Sequence, residues 1–258
     1  MSTKQGVMSS PRAELSMLPK ADGSGTFSYG GFSVTAAVNG PIEAAKRDES
    51  AFEAQVDVIV RPAAGVGGTA ERQLEGIVQS ALRQLITVGS FPRCMFQVTL
   101  QVLEMPENLY ANTKVVQAQL NLAIIPALIH AAMIGLLLAA VPLKSIATAV
   151  TLAFGTRDGK VEMIVDPGAR ETAMAESVHV LGFTSDGELL MAESLGSFSV
   201  EQWEQVLEAG RRICCRDRDS GLDTVMAGDG LEGLESPSVK AFIRATLETQ
   251  TLQDLYWK

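Results

Sequence analysis

Of 258 residues, only three are cysteine and two histidine, aromatic residues make up 5% of the chain, and charged residues 20%. Each scarcity closes a class of function. Cys94, Cys214 and Cys215 are an odd number, and the adjacent pair has no His or Cys at metal-ligand spacing, so neither a disulfide framework nor a zinc site is expected. The thiols read as reduced, in a cytosolic or nuclear protein. Sparse aromatics leave no platform on which single-stranded bases would stack. Basic residues are also in the minority: 21 Lys and Arg stand against 30 Asp and Glu, a net charge of −9. Such a balance excludes a protein that wraps nucleic acid over its whole surface, since counterion release needs clustered cations. Any RNA contact is local. No secretory leader is evident, because Lys4 is followed by no apolar run and Ser, Pro and Gly are scattered through the first two dozen residues. Residues 1–14 read as a partly disordered lead-in.

What the chain does have is apolar residues, 47% of the total, enough to bury a large core. The stretch 115–143 carries no charge and its later part is long enough to span a bilayer. Pro126 and Pro142, a central His130, polar Gln117, Gln119 and Asn121 at the entry, and no basic flank before Lys144 argue against a membrane. The alternative is a helix buried on most sides, in which Ala131, Ala132, Gly135, Ala139 and Ala140 allow close backbone approach.

Periodicity orders the remainder. Alternation over 25–31, 32–39 and 54–61, with Val56, Val58 and Val60 on one face, predicts half-buried antiparallel strands. Thr69 is placed to cap a helix over 70–88, with Leu74, Ile77, Val78, Ala81, Leu82 and Leu85 at helical spacing. A further strand follows over 95–103. In the second half, 145–155 and 160–165 pair around Arg157-Asp158-Gly159, and 172–182 with 188–194 around Ser185-Asp186-Gly187. Residues 200–216 form an amphipathic helix capped by Ser199 or Ser197, 217–238 an acidic Gly-rich linker, and 239–257 an outlying helix. Strands then helix, twice over, is an α+β fold with β-sheet layers and helices between them.

Chemistry concentrates at Asp166-Pro167-Gly168-Ala169-Arg170-Glu171-Thr172. Two carboxylates a few residues apart activate phosphate or a metal-bound water in a way that a lone Asp near a Thr does not. Turn chemistry alone also favours Asp-Pro here. His130 reads as a helix residue bonded locally and His179 as a strand residue, with no Ser or Cys partner visible for either. Lys46-Arg47 beside Asp48-Glu49 is an exposed turn of mixed sign.

The ordered set Leu18-Pro19-Lys20-Ala21-Asp22-Gly23-Ser24-Gly25, Gly30-Gly31-Phe32-Ser33-Val34 and Asn39-Gly40-Pro41-Ile42-Glu43 resembles the opening of the RNase PH family. Val60-Arg61-Pro62, Ala81-Leu82-Arg83, Phe91-Pro92-Arg93, Leu100-Gln101-Val102-Leu103, Ala140-Val141-Pro142-Leu143 and Val165-Asp166-Pro167 continue the likeness over about residues 15–215. Within the family the chain is most similar to non-catalytic ring subunits of the eukaryotic RNA exosome. The resemblance implies an RNase PH-like domain over 15–216 with the ribosomal protein S5 domain 2-like fold. It also implies where the active site of working members would lie. Their Gly-Gly-Thr-Arg phosphate loop falls on Leu122-Ala123-Ile124-Ile125, and their two Asp, six positions apart, fall on Asp166 and Thr172. About ten residues are inserted between Pro106 and Asn121, yet the stretch to Ile125 contains no Arg, and Lys114 is its only cation. Gly155-Thr156-Arg157 spells part of the loop at a hairpin turn, by chance. Arg61 and Arg72 bracket a Gly-rich loop that in this family tends to face the central pore, where they touch RNA phosphates or are simply solvated. The implied function is a scaffold that threads RNA toward a nuclease on a separate chain, without catalytic residues, cofactor or metal. The implied partners are sister RNase PH-like subunits and S1- or KH-domain caps, in nucleus, nucleolus and cytoplasm. The alternative is a working phosphate-dependent 3′ exoribonuclease.

Overall fold

The computed structural model describes residues 10–16, 18–106, 121–157, 160–215 and 238–256. The first nine residues, the inserted segment with Lys114, the Asp158-Gly159 turn, the acidic stretch up to residue 237, and Trp257 lie outside the described residues.

A five-stranded sheet runs in the spatial order β1 (Arg12–Leu15), β2 (Gly23–Tyr29), β3 (Phe32–Glu43), β5 (Cys94–Glu104), β4 (Gln55–Arg61). Gly30 and Gly31 join β2 to β3 at φ of 61° and 84°, the left-handed pair that a two-residue hairpin requires. Strand β1 begins within the expected lead-in of residues 1–14 and pairs with β2 from Arg12↔Ser28 to Leu15↔Gly25. Four residues are too few to show a period. Strand β4 is parallel to β5, not antiparallel as expected, with Val58 opposite Val98. The 17-residue helix α1 (Thr69–Leu85) is the reason, since it carries the chain back across the sheet before β5 begins. Its cap is Gly68 rather than Thr69: the Glu71 carboxylate accepts the Gly68 N–H at 2.6 Å, and Thr69 is already helical.

Helix α2 (Ile125–Leu138) packs against β2 and β3 on one side and β6 (Ala147–Arg157) on the other, and every residue from Ile125 to Leu136 is buried. With protein all around it, the segment needs no polar face. By length and composition the helical stretch 121–138 would cross a membrane, yet most of it is inside the fold. Two glycines set the spacing. A Cβ on Gly135 would meet a Val38 methyl at 2.9 Å, and one on Gly23 would meet the Gly135 carbonyl at 2.3 Å.

The second sheet has the order β7 (Lys160–Val165), β6 (Ala147–Arg157), β8 (Ser177–Thr184), β9 (Leu189–Gly196). Every residue of β8 is buried, because α2 and the core lie on one face and helix α4 (Val200–Cys215) on the other. Ser199 caps α4 through a reciprocal pair: its Oγ accepts the Gln202 N–H at 3.2 Å and its own N–H donates to Gln202 Oε1 at 2.7 Å. Where a strand was expected from Thr172, the chain first makes a short helix α3 (Ala169–Met174), started by the Gly168 N–H on the Glu171 carboxylate at 2.9 Å. Helix α5 (Val239–Asp254) is not outlying. Its Ile243 is 1% exposed within the main core, and Phe242 meets Phe27 edge-on at 6.4 Å.

Candidate functional site

Strand β7 ends at Val165, and Asp166 turns the chain with φ of 48°, its N–H donating to the Thr151 carbonyl at 2.9 Å. That turn directs the carboxyl inward, where the Tyr29 hydroxyl from the end of β2 donates to Oδ2 at 2.8 Å. Burial raises the Asp166 pKa above the usual carboxylate range, while the hydrogen bonds from Tyr29 and the Thr151 backbone pull it back. The Tyr29 phenol is pushed up in turn, first by burial and then by the adjacent carboxylate. Both groups hold their protons more tightly than in water.

His130 of α2 faces the same space. Its Nε2 lies 3.0 Å from the Ala149 N–H, an obligate donor, so Nε2 accepts and the neutral ring carries its proton on Nδ1. That Nδ1 is buried without a partner among the described residues, and the ring stands edge-on to Phe27 at 5.0 Å. Burial lowers the imidazole pKa to about 3 and raises that of the Cys214 thiol to about 12. Tyr29, His130, Asp166 and Cys214, with Thr148 and the α5 residues Val239 and Lys240, line a partly open cavity of about 20 Å³. It has room for one water-sized group.

The expected second acidic position is absent from this cavity. Thr172 sits in α3 at 1% exposure, its hydroxyl donating to the Pro167 carbonyl at 3.3 Å. A carboxylate there would face an oxygen and could not donate to it. Ile124 and Ile125, 2% and 0% exposed, occupy the start of α2 with Leu122, Ala123 and Pro126. A helix N-terminus that could bind an anion through its amides is instead packed in hydrocarbon. Arg61, at the end of edge strand β4, and Arg72, early in α1, are both exposed beside the loop 62–68 and do not line the cavity.

Two histidine expectations change. His130 bonds across the core to β6, not locally. His179 has two serine partners, Ser194 at 2.8 Å on Nδ1 and Ser177 at 3.0 Å on Nε2. Burial lowers its pKa, and Phe198, Trp203 and Phe154 enclose the ring. With no carboxylate orienting it, this is a satisfied buried imidazole and not a nucleophile pair. Among the described residues no three His, Cys, Asp or Glu side chains converge to hold a metal ion. A second, open groove between α1 and β9, bounded by Gln73, Ile77, Gln84 and Met191, offers Glu193 alone as a titratable group.

Sequence reasoning missed Tyr29, Cys214 and Lys240 as cavity walls. Tyr29 meets Asp166 across 137 residues, a distance no local pattern encodes.

The chain matches the family model described as 3′ exoribonuclease family, domain 1, over residues 10–142, and domain 2 over residues 146–213. It is 33% identical over 211 residues to the exosome complex component RRP46 of Saccharomyces cerevisiae, covering 80% of this chain and 90% of that protein. With the exosome complex component rrp46 of Schizosaccharomyces pombe it shares 26% over 230 residues, covering 86% and 94%. Among solved structures, rice (Oryza sativa) Rrp46 superposes with a TM-score of 0.70 at 23% identity over 93% of this chain and 95% of that one. An archaeal exosome core chain gives 0.57 at 14% identity, covering 78% and 82%.

Proposed function

The chain belongs to the 3′ exoribonuclease family of RNase PH proteins, and from that premise we propose that it is a non-catalytic ring subunit of an RNA exosome core. One observation carries the reading: the cavity around Asp166 retains a single carboxyl with a raised pKa, beside a helix start built of Ile124 and Ile125. Phosphorolysis needs an anion cradle for the attacking phosphate and a site for proton transfer. Hydrocarbon at the cradle position and a hydroxyl tied to Pro167 at the second acidic position support loss of both. A fold retained without that chemistry is explained by assembly. Yeast and fission-yeast relatives named as exosome complex components, matched over nearly their whole length, support the ring. On this reading its neighbours are sister RNase PH-like subunits, S1- or KH-domain proteins cap the ring, and RNA threads past Arg61 and Arg72 to a nuclease on another chain. It works in nucleus, nucleolus and cytoplasm.

The test is to incubate the purified chain with single-stranded RNA and inorganic phosphate and to measure nucleoside diphosphate. No release above a protein-free control is expected, together with co-purification of ring partners with the tagged chain. Phosphate-dependent release would establish the opposite reading, a working exoribonuclease.

A further inference from the structure

Helix α5 begins at Val239, capped by Ser238, beyond both stretches that match the family. Its first two residues, Val239 and Lys240, line the cavity that Tyr29, His130, Asp166 and Cys214 form from the body of the fold. Two turns hold it down. Phe242 packs edge-on against Phe27 at 6.4 Å, and the same Phe27 ring meets His130 at 5.0 Å, so the latch is continuous with the cavity wall. Ile243 is the one residue of the helix that is fully buried, and Val239, Phe242 and Leu247 are partly buried against the same core. The far end is solvent-facing, with Leu252 72% and Tyr256 93% exposed. The helix therefore holds on by one narrow seam at i, i+3, i+4 and i+8, whereas the sheets beneath are closed by their own ladders. An element with so little buried surface opens more readily than the core it covers.

We infer that α5 is a plug, latched by Phe242 and Ile243, that covers one side of the Asp166 cavity and narrows it to the room of one water-sized group. The covering stands on geometry; that the covered cavity descends from a catalytic cleft rests on the function proposed above.

Cys214 reports the state of the plug, because it lines the cavity and its burial keeps the thiol protonated. The full chain is treated with iodoacetamide and each cysteine is quantified by peptide mass spectrometry, in the wild type, Ile243→Asp and the milder Phe242→Ala. Cys214 is expected to label at least tenfold faster in Ile243→Asp, with Cys94 unchanged and Phe242→Ala between. Unaltered Cys214 labelling alongside tryptic cleavage after Arg244 would show α5 released with access to the cavity unchanged, and would overturn the plug. Hydrogen exchange on the unmodified wild type decides the matter without any variant. Amides of α5 exchanging at least tenfold faster than those of β8 support a separable plug, and equal protection rules it out. Phosphorolysis by the opened Ile243→Asp chain would sink the non-catalytic reading and leave the plug standing; unaltered labelling would do the reverse.

Discussion

An imidazole buried without charge makes stability depend on pH, and His130 has both ring nitrogens inside the protein. Its folded pKa of about 3 lies below the ordinary value of 6.5. The unfolded chain therefore takes up a proton near pH 6.5 while the folded chain refuses it until far lower. The stability this group confers is complete above 6.5 and is lost as pH falls, about 2 kcal/mol by pH 5. Urea unfolding of the wild type and His130→Gln at pH 7 and pH 5 checks this: the variant should lose about 2 kcal/mol less between the two, and an equal loss would refute the assignment. Asp166 runs the other way. Its folded pKa is raised, so its contribution is complete below the ordinary carboxylate range and is lost as pH rises through the folded value. Asp166→Asn, which keeps an acceptor for Tyr29, should gain stability relative to the wild type as pH is raised from 4 to 7 in the same unfolding series. A constant difference would show that the carboxyl is not desolvated. Asp166 stood out in the sequence, and the family resemblance implied a second acidic position at Thr172. The partners that set the proton affinity of Asp166 come from strands far along the chain.

Helix α2 approaches the first sheet closely only because position 135 has no side chain. A methyl there would sit 2.9 Å from a Val38 methyl and 3.2 Å from Ala36 Cβ, and Val38 is β-branched and stiff. Gly76 of α1 is exposed, and a Cβ on it would meet nothing within 4 Å. Glycine to alanine gains about 1 kcal/mol of helix propensity at either site, so packing decides the sign. Gly76→Ala should stabilise by about 0.5–1 kcal/mol, and Gly135→Ala should destabilise by about 1–2 kcal/mol once overpacking is added. Denaturant midpoints of the two variants measure this, and a stabilised Gly135→Ala would contradict the close approach. The small residues of α2 were visible in sequence, as were the alternation of β4 and β5 and the apolar stripe of α1. The parallel pairing of β4 was not, because alternation gives a strand's faces and not its direction. Strand β1 was too short to show a period, and α3 arises from the Gly168–Glu171 contact rather than from any stripe. The docking of α5 was hidden because the stripe of Val239, Phe242, Ile243 and Leu247 marks an apolar face but not the surface that covers it.

The two stretches that match separate domain descriptions meet between residues 142 and 146, yet the molecule does not divide there. Ala147 and Ala149 of β6, Val180 of β8 and Leu190 of β9 belong to the same buried cluster as Phe27, Val38 and Phe96 of the first sheet, with α2 filling the space between. Separating the halves would strip α2 on the side facing β6 and expose side chains worth roughly 1.5–3 kcal/mol each. It would also leave the Ala149 N–H without its acceptor on His130. The large core is shared by the two halves, and only a smaller cluster of Val150, Leu152, Phe154, Leu181, Phe183 and Val206 between the second sheet and α4 belongs to one half alone; layering was readable from the element order while the shared interior was not. Calorimetry of the isolated chain should accordingly give one transition with calorimetric and van't Hoff enthalpies in agreement. The α5 amides, held by one seam, should be the part that exchanges below that transition. Two resolved heat-absorption peaks would mean that the sheets unfold independently and that the cluster spanning them contributes little. A single peak that persists in Ile243→Asp, shifted down by only a few degrees, would locate the cooperative unit in the two sheets and α2.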